Sequence, residues 1–142
     1  TMLKKEDIFN LTRREQDIMN ILWMSADPLT ASEITKSKEK LSINTVQAGL
    51  KKLMAKKLIE VDRVVYSGKV LCRSYKPCVS LAEFEAERIA YNFHHSKNKM
   101  SVSCFVASFL EQEKDDKNAL ADIEALEDLL KRKKMELKKR EE

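Results

Sequence analysis

The side chains best suited to engage another molecule concentrate in one stretch of this 142-residue chain. Downstream of Ser42, the residues Asn44, Thr45, Gln47, Ala48, Lys51 and Lys52 fall on one face of a helix whose other face carries Val46, Leu50, Leu53 and Met54. Amides and hydroxyls near a helix start can hydrogen-bond base edges or phosphates, a small alanine can touch a thymine methyl, and lysines neutralise phosphates. That is the chemistry of a helix entering a DNA major groove. An ordinary solvated face has the same residue types, so the surrounding elements must decide. A second set, Arg63, Lys69 and Arg73, brackets Ser67-Gly68. Cations on a hairpin suit the sugar–phosphate backbone or the minor groove, and they equally suit a solubilising strand edge.

The other reactive groups point away from catalysis and metals. His94 and His95 are adjacent, about 100° apart on a helix, so they do not chelate as an i, i+4 pair would. Cys72, Cys78 and Cys104 are an odd set without CxxC spacing, which argues against a zinc ribbon or disulfide framework and for reduced thiols in a cytoplasm. Asp115-Asp116 reads as a helix start, and two glycines leave no phosphate-cradling loop. The expectation is no catalytic residue, no metal, no cofactor and no enzyme. No apolar run approaches the ~18 residues of a membrane span, and the N-terminal residues lack the apolar segment of a secretory signal. Cytoplasmic localisation without membrane insertion follows as the expectation.

Elements that would position these residues are legible from caps and periodicity. Thr12-Arg13-Arg14-Glu15 and Thr30-Ala31-Ser32-Glu33 are capping boxes. The first opens a helix with Ile18, Met19, Ile21, Leu22 and Trp23, ended by Asp27-Pro28; the second opens a short helix to about Lys38. Ser42 caps the third helix, to Lys56. Trp23 and the methionines read as core filler. From Ile59 the pattern turns to β-formers: Val61, Val64, Val65 and Tyr66, then Val70, Leu71, Cys72 and Tyr75, split by Ser67-Gly68-Lys69. Three short helices followed by a hairpin are a winged helix. With only two glycines and two prolines, the fold class is mainly α with that one small β-hairpin.

A third capping box, Ser80-Leu81-Ala82-Glu83, begins another helical region, with segments from Ser80 to about Lys97, Ser101 to about Gln112 and about Asn118 to Lys139. The expected domains are a winged helix over 1–79 and a three-helix dimerisation domain over 80–142. Phe105, Val106, Phe109 and Leu110, with Ile123, Leu126 and Leu130, need a surface to pack on, and a second copy is the simplest supplier. Charge divides the same way. The chain carries 27 basic and 23 acidic residues, but up to Val79 there are 15 and 9, a net +6, and the remainder is −2.

The sequence resembles the penicillinase repressor family of bacterial winged-helix regulators. The likeness rests on Leu11-Thr12 with Glu15, on Ile18-Met19-Asn20-Ile21-Leu22-Trp23, and on Ser42-Ile43-Asn44-Thr45-Val46. It continues through Leu50, Leu53, Lys56, Ile59 and Tyr75-Lys76-Pro77. In the C-terminal half the match is one of layout, with Ser108-Phe109-Leu110-Glu111 the clearest local echo. The resemblance implies a homodimeric repressor on a palindromic operator, with a membrane sensor-protease pathway that responds to β-lactam and triggers cutting in the dimerisation domain. It assigns DNA reading to Ser42, Asn44, Thr45, Gln47, Ala48 and Lys52, and regulatory cleavage to Ser108-Phe109, where related repressors have Asn-Phe. Ala48 replaces the family's usual Thr or Ser, Lys52 a frequent Arg, and Lys57 a frequent helix-ending Gly. Lys lacks Arg's planar two-point contact, so operator preference should shift. The copper-responsive branch's C-terminal CxC pair is missing.

Two other readings fit the residues: a winged helix that docks a partner protein, and a ligand-sensing regulator with an effector pocket. The basic half speaks against the first, and no convergent polar cluster supports the second.

Overall fold

A computed structural model describes residues 5–96 and 100–141. Its elements are α1 (Lys5–Phe9), α2 (Arg13–Met24), β1 (Leu29–Thr30), α3 (Ala31–Lys36), α4 (Ile43–Ala55), β2 (Ile59–Ser67), β3 (Val70–Pro77), α5 (Leu81–His94), α6 (Val102–Gln112) and α7 (Asp116–Glu141). They form two compact units, Thr1–His95 and Ser96–Glu142.

Two of the three expected capping boxes close. The Thr12 hydroxyl accepts from the Glu15 N–H at 3.2 Å, and the Glu15 carboxylate accepts from the Thr12 N–H at 3.4 Å. Thr30 and Glu33 repeat this at 3.2 and 3.1 Å. At Ser80 one half forms: the hydroxyl accepts from the Glu83 N–H at 3.1 Å, without a capping-box return bond among the described residues. Each hydroxyl satisfies an N–H that the first helical turn leaves unpaired.

The core of the first unit comes from the predicted faces. Ile18, Met19 and Leu22 of α2, Ile34 of α3, and Val46, Leu50 and Leu53 of α4 are all buried, joined by Leu41, Leu58, Ile59 and Phe84. Met54, expected in the buried stripe, stays 36% exposed at its rim. Helices α2 and α4 approach closely enough that a Cβ on Gly49 would overlap the Ile18 side chain. The helix α4 ends in a Schellman motif, in which the Lys57 N–H donates to the Met54 carbonyl at 3.0 Å and the Leu58 N–H to the Leu53 carbonyl at 3.1 Å. Lys57 accordingly stands at φ 60°, the left-handed position where glycine is favoured.

The sheet is antiparallel in the order β1-β3-β2. The hairpin pairs Ser67 with Val70 across Gly68-Lys69, and Gly68 supplies the positive φ of 64° that so short a turn demands. The short β1 pairs Leu29 with Tyr75 and Thr30 with Ser74, adding a third strand to the two expected.

The boundary between units falls later than the Val79/Ser80 division read from the sequence, because α5 packs on the winged helix. Phe84 is 2% exposed, with its ring 5.8 Å from Phe9 and 5.5 Å from Trp23; Tyr91 lies 5.5 Å from Phe9. The Trp23 indole N–H donates to the Val79 carbonyl at 2.9 Å. Trp23 is thus a packing residue, as expected. The second unit then holds two helices, α6 and α7, in place of three.

Candidate nucleic-acid interface

Three of the features above hold α4 by its inner face and its end, namely buried Val46, Leu50 and Leu53, the close approach at Gly49 and the Schellman stop, while its outer face is open. Asn44, Gln47, Ala48, Lys51 and Lys52 are all exposed, and Thr45 is half-buried. The exposed residues recur at three and four, so they share a side of the helix. Ser42 has a local duty as well. Its hydroxyl accepts from the Thr45 N–H at 3.1 Å and donates to the Thr45 hydroxyl at 2.8 Å, which orients both side chains at the helix start.

The end of α4 is fixed by an ion pair that sequence inspection missed. Lys56 Nζ lies 2.7 Å from Glu15 Oε2, with the two side chains 11% and 3% exposed. The other oxygen of the same carboxylate closes the α2 capping box, so one buried side chain ties the start of α2 to the end of α4. Burial pushes the Glu15 carboxyl up, but the Lys56 ammonium and the Thr12 donors outweigh it and hold the pKa below its ordinary 4.5. Both residues belong to the family-like motif, yet 41 positions separate them and no local pattern links them.

The wing presents Arg63, Lys69 and Arg73 on its surface. Arg63 is 71% exposed, but its Nε donates to Asp62 at 3.1 Å, and Lys76 Nζ lies 3.3 Å from the same carboxylate. Asp62 sits at an irregularity in the ladder between Val61 and Arg63. Hydrogen bonding from Arg63, with that from Lys76, lowers the Asp62 pKa, and Asp62 in turn raises that of Lys76. Arg63 is therefore part-neutralised, while Lys69 and Arg73 form no ion pair among the described residues. The register Val64↔Arg73 and Tyr66↔Leu71 puts these four on one face of the hairpin, and Val64, Tyr66 and Leu71 are 58%, 74% and 58% exposed. This apolar wing face was also missed: its β-formers read as strand residues, and nothing in their type says which face is covered.

In the second unit, Phe105, Val106, Phe109, Leu110 and Leu126 line a groove of about 610 Å³ between α6 and α7. Phe105 and Phe109 meet edge to face at 4.8 Å. The other two expected dimerisation residues, Ile123 and Leu130, lie outside the groove, 37% and 64% exposed. None of the described residues of α6 or α7 is buried. Ser108 and Phe109 fall within α6, where the Ser108 hydroxyl donates to the Cys104 carbonyl at 3.0 Å. A peptide bond inside a formed helix is a poor substrate until the helix opens locally. Cys72 is partly buried and Cys78 and Cys104 exposed, all as free thiols; burial, then Glu60, raises the Cys78 pKa. Among the described residues no cluster of His, Cys, Asp or Glu could hold a metal, and no helix is long and apolar enough to cross a membrane.

A three-helix core with an exposed third helix and an antiparallel wing defines a winged helix. The penicillinase repressor profile matches residues 11–132, and the chain belongs to that family, a class of regulators that are in general not enzymes. Solved structures are more distant. A "possible transcriptional regulator" from Methanosarcina mazei Go1 is 22% identical over 68% of this chain and 91% of its own, with a TM-score of 0.45. Bacillus subtilis PadR, in complex with operator DNA, is 18% identical over 85% and 71%, at 0.42. The Helicobacter pylori ferric uptake regulator Fur is 18% identical over 68% and 77%, at 0.39. No curated protein matches the chain.

Proposed function

We propose that this protein is a homodimeric repressor that binds a palindromic operator through α4. The observation that carries this reading is the open polar face of α4 on a buried, ion-paired scaffold. Asn44, Thr45, Gln47 and Ala48 meet base edges, Ser42 and Lys51 meet the backbone at either end, and Lys52 neutralises a phosphate. Arg63, Lys69 and Arg73 of the wing hold the flanking backbone. A dimer built on Phe105, Val106, Phe109, Leu110, Ile123, Leu126 and Leu130 sets two copies of α4 about one DNA turn apart, roughly 34 to 36 Å. Family membership extends this to control of a β-lactam resistance type operon and to relief by a membrane sensor-protease pathway that leads to cutting at Ser108-Phe109, once α6 opens.

Gel shifts across several salt concentrations test the reading. Gln47→Ala and Thr45→Ala should weaken operator binding selectively, and Lys52→Ala should weaken every duplex alike and flatten the salt dependence. Unchanged binding by Lys52→Ala removes that assignment. The exposed Val64, Tyr66 and Leu71 favour a second reading, in which the wing docks a partner protein. A salt-dependent shift on any duplex separates the two.

A further inference from the structure

Two features of α7 coincide. Its first half, from Asp116 to Asp128, carries five acids and one base; its second half, from Leu129 to Glu141, carries seven bases and two acids. The crossover falls at the middle of the helix, beside Leu130. Ile123 and Leu137 stand seven residues to either side of Leu130, and the three are 37%, 64% and 48% exposed. At that spacing they form one seam.

Neither ordinary explanation of the charge pattern suffices. The helix dipole favours acids at the start and bases at the end, but its influence fades within the terminal turns, whereas this separation runs through a helix about 39 Å long. A solvated helix gains from opposite charges three or four apart, and the sole ion pair on α7 among the described residues is Lys133–Glu136. Opposite charges four apart, such as Glu127/Lys131, Asp128/Arg132 and Glu136/Arg140, gather at and beyond the crossover, and they leave Asp122 and Glu124 of the acidic half with no cation three or four residues away. A neighbouring helix of reversed polarity turns the same pattern into an advantage.

We propose that this neighbour is the α7 of a second copy, antiparallel, with Leu130 against its own mate and Ile123 against the partner's Leu137. Two-fold symmetry then lays each acidic half along a basic half, twice. A parallel pair would stack acid on acid and base on base. The inference rests on the homodimer reading and adds to it the orientation and register of the pair.

Disulfide trapping in the full chain, with Cys72, Cys78 and Cys104 replaced by serine, tests it. Leu130→Cys should link to itself. Ile123→Cys and Leu137→Cys should each fail alone, because about 21 Å would separate equivalent positions, and should link when mixed. Self-linking of Ile123→Cys, or a persistent dimer with no link in any combination, overturns the proposal. Sedimentation of the unaltered chain gives a second readout, free of substitutions. Raising salt from about 50 to 500 mM should weaken the dimer several-fold; an unchanged or tightened dimer contradicts the antiparallel order. A monomer at every salt concentration removes the homodimer reading itself.

Discussion

The two units of this protein solve the burial problem in opposite ways. The first encloses eleven apolar side chains among the described residues, adds reciprocal caps to α2 and α3, and locks α4 through the Glu15–Lys56 pair. The second has no buried residue among those described, and its aromatic and aliphatic side chains line an open groove. A unit that completes its own core can offer a fixed surface to a ligand. A unit that does not must obtain its stability from association, and it is correspondingly easier to open or cut. Under the proposed function, reading falls to the end that completes its own core and assembly to the end that does not.

Substitutions can break this contrast, and the largest effect belongs to the first unit. Phe84→Ala should cost about 3 to 5 kcal/mol by cavity formation, measured by urea unfolding, although Phe84 follows the Ser80 cap that looks like the start of the tail. For the same reason, truncation after His95 should leave a folded monomer, whereas truncation after Val79 should not reach that stability. A loss below about 1 kcal/mol for Phe84→Ala would detach α5 from the core.

Next comes Lys56→Met, which strands the buried Glu15 carboxylate and should cost about 3 kcal/mol. Its pH dependence has a definite sign. The folded pKa of Glu15 lies below its ordinary 4.5, so the contribution is complete above that value and is lost as pH falls through the folded pKa. Unfolding curves from pH 7 to 3 should show the variant losing less stability over this range than the parent. Equal losses would mean that the pair is not formed.

Gln47→Ala should cost about 1 to 3 kcal/mol of operator affinity with no change in unfolding midpoint, since its side chain is exposed. A fall in thermal stability would make it a packing residue. The smallest effect is a gain: Lys57→Gly should stabilise the first unit by about 0.5 to 1 kcal/mol by relieving the left-handed residue. A destabilised variant would show that the lysine side chain has a role of its own.

Much of this was readable from single residues. Thr12 with Glu15 and Thr30 with Glu33 announce their helices because a capping box is a local event, and Gly68 marks the hairpin turn for the same reason. The spacing of Val46, Leu50 and Leu53 gave the inner face of α4 and, by difference, its outer one. What escaped was non-local. The five residues of α1 and the two of β1 are too short to show a period, and they exist because Phe84, Tyr91 and Tyr75 receive them. The Glu15–Lys56 pair joins positions far apart in the chain. The exposed face of the wing depends on which side of the hairpin the helices cover, which Val64 and Tyr66 do not declare.

The central claim is that α4 reads DNA as part of a dimer. Binding of the purified chain to duplex oligonucleotides across a salt series tests it most directly. Measurable binding at low salt is expected, with log affinity falling linearly with log salt, and with a slope shallower for Lys52→Ala by about two, one for each protomer. Absence of binding to any duplex in dilute buffer would contradict it.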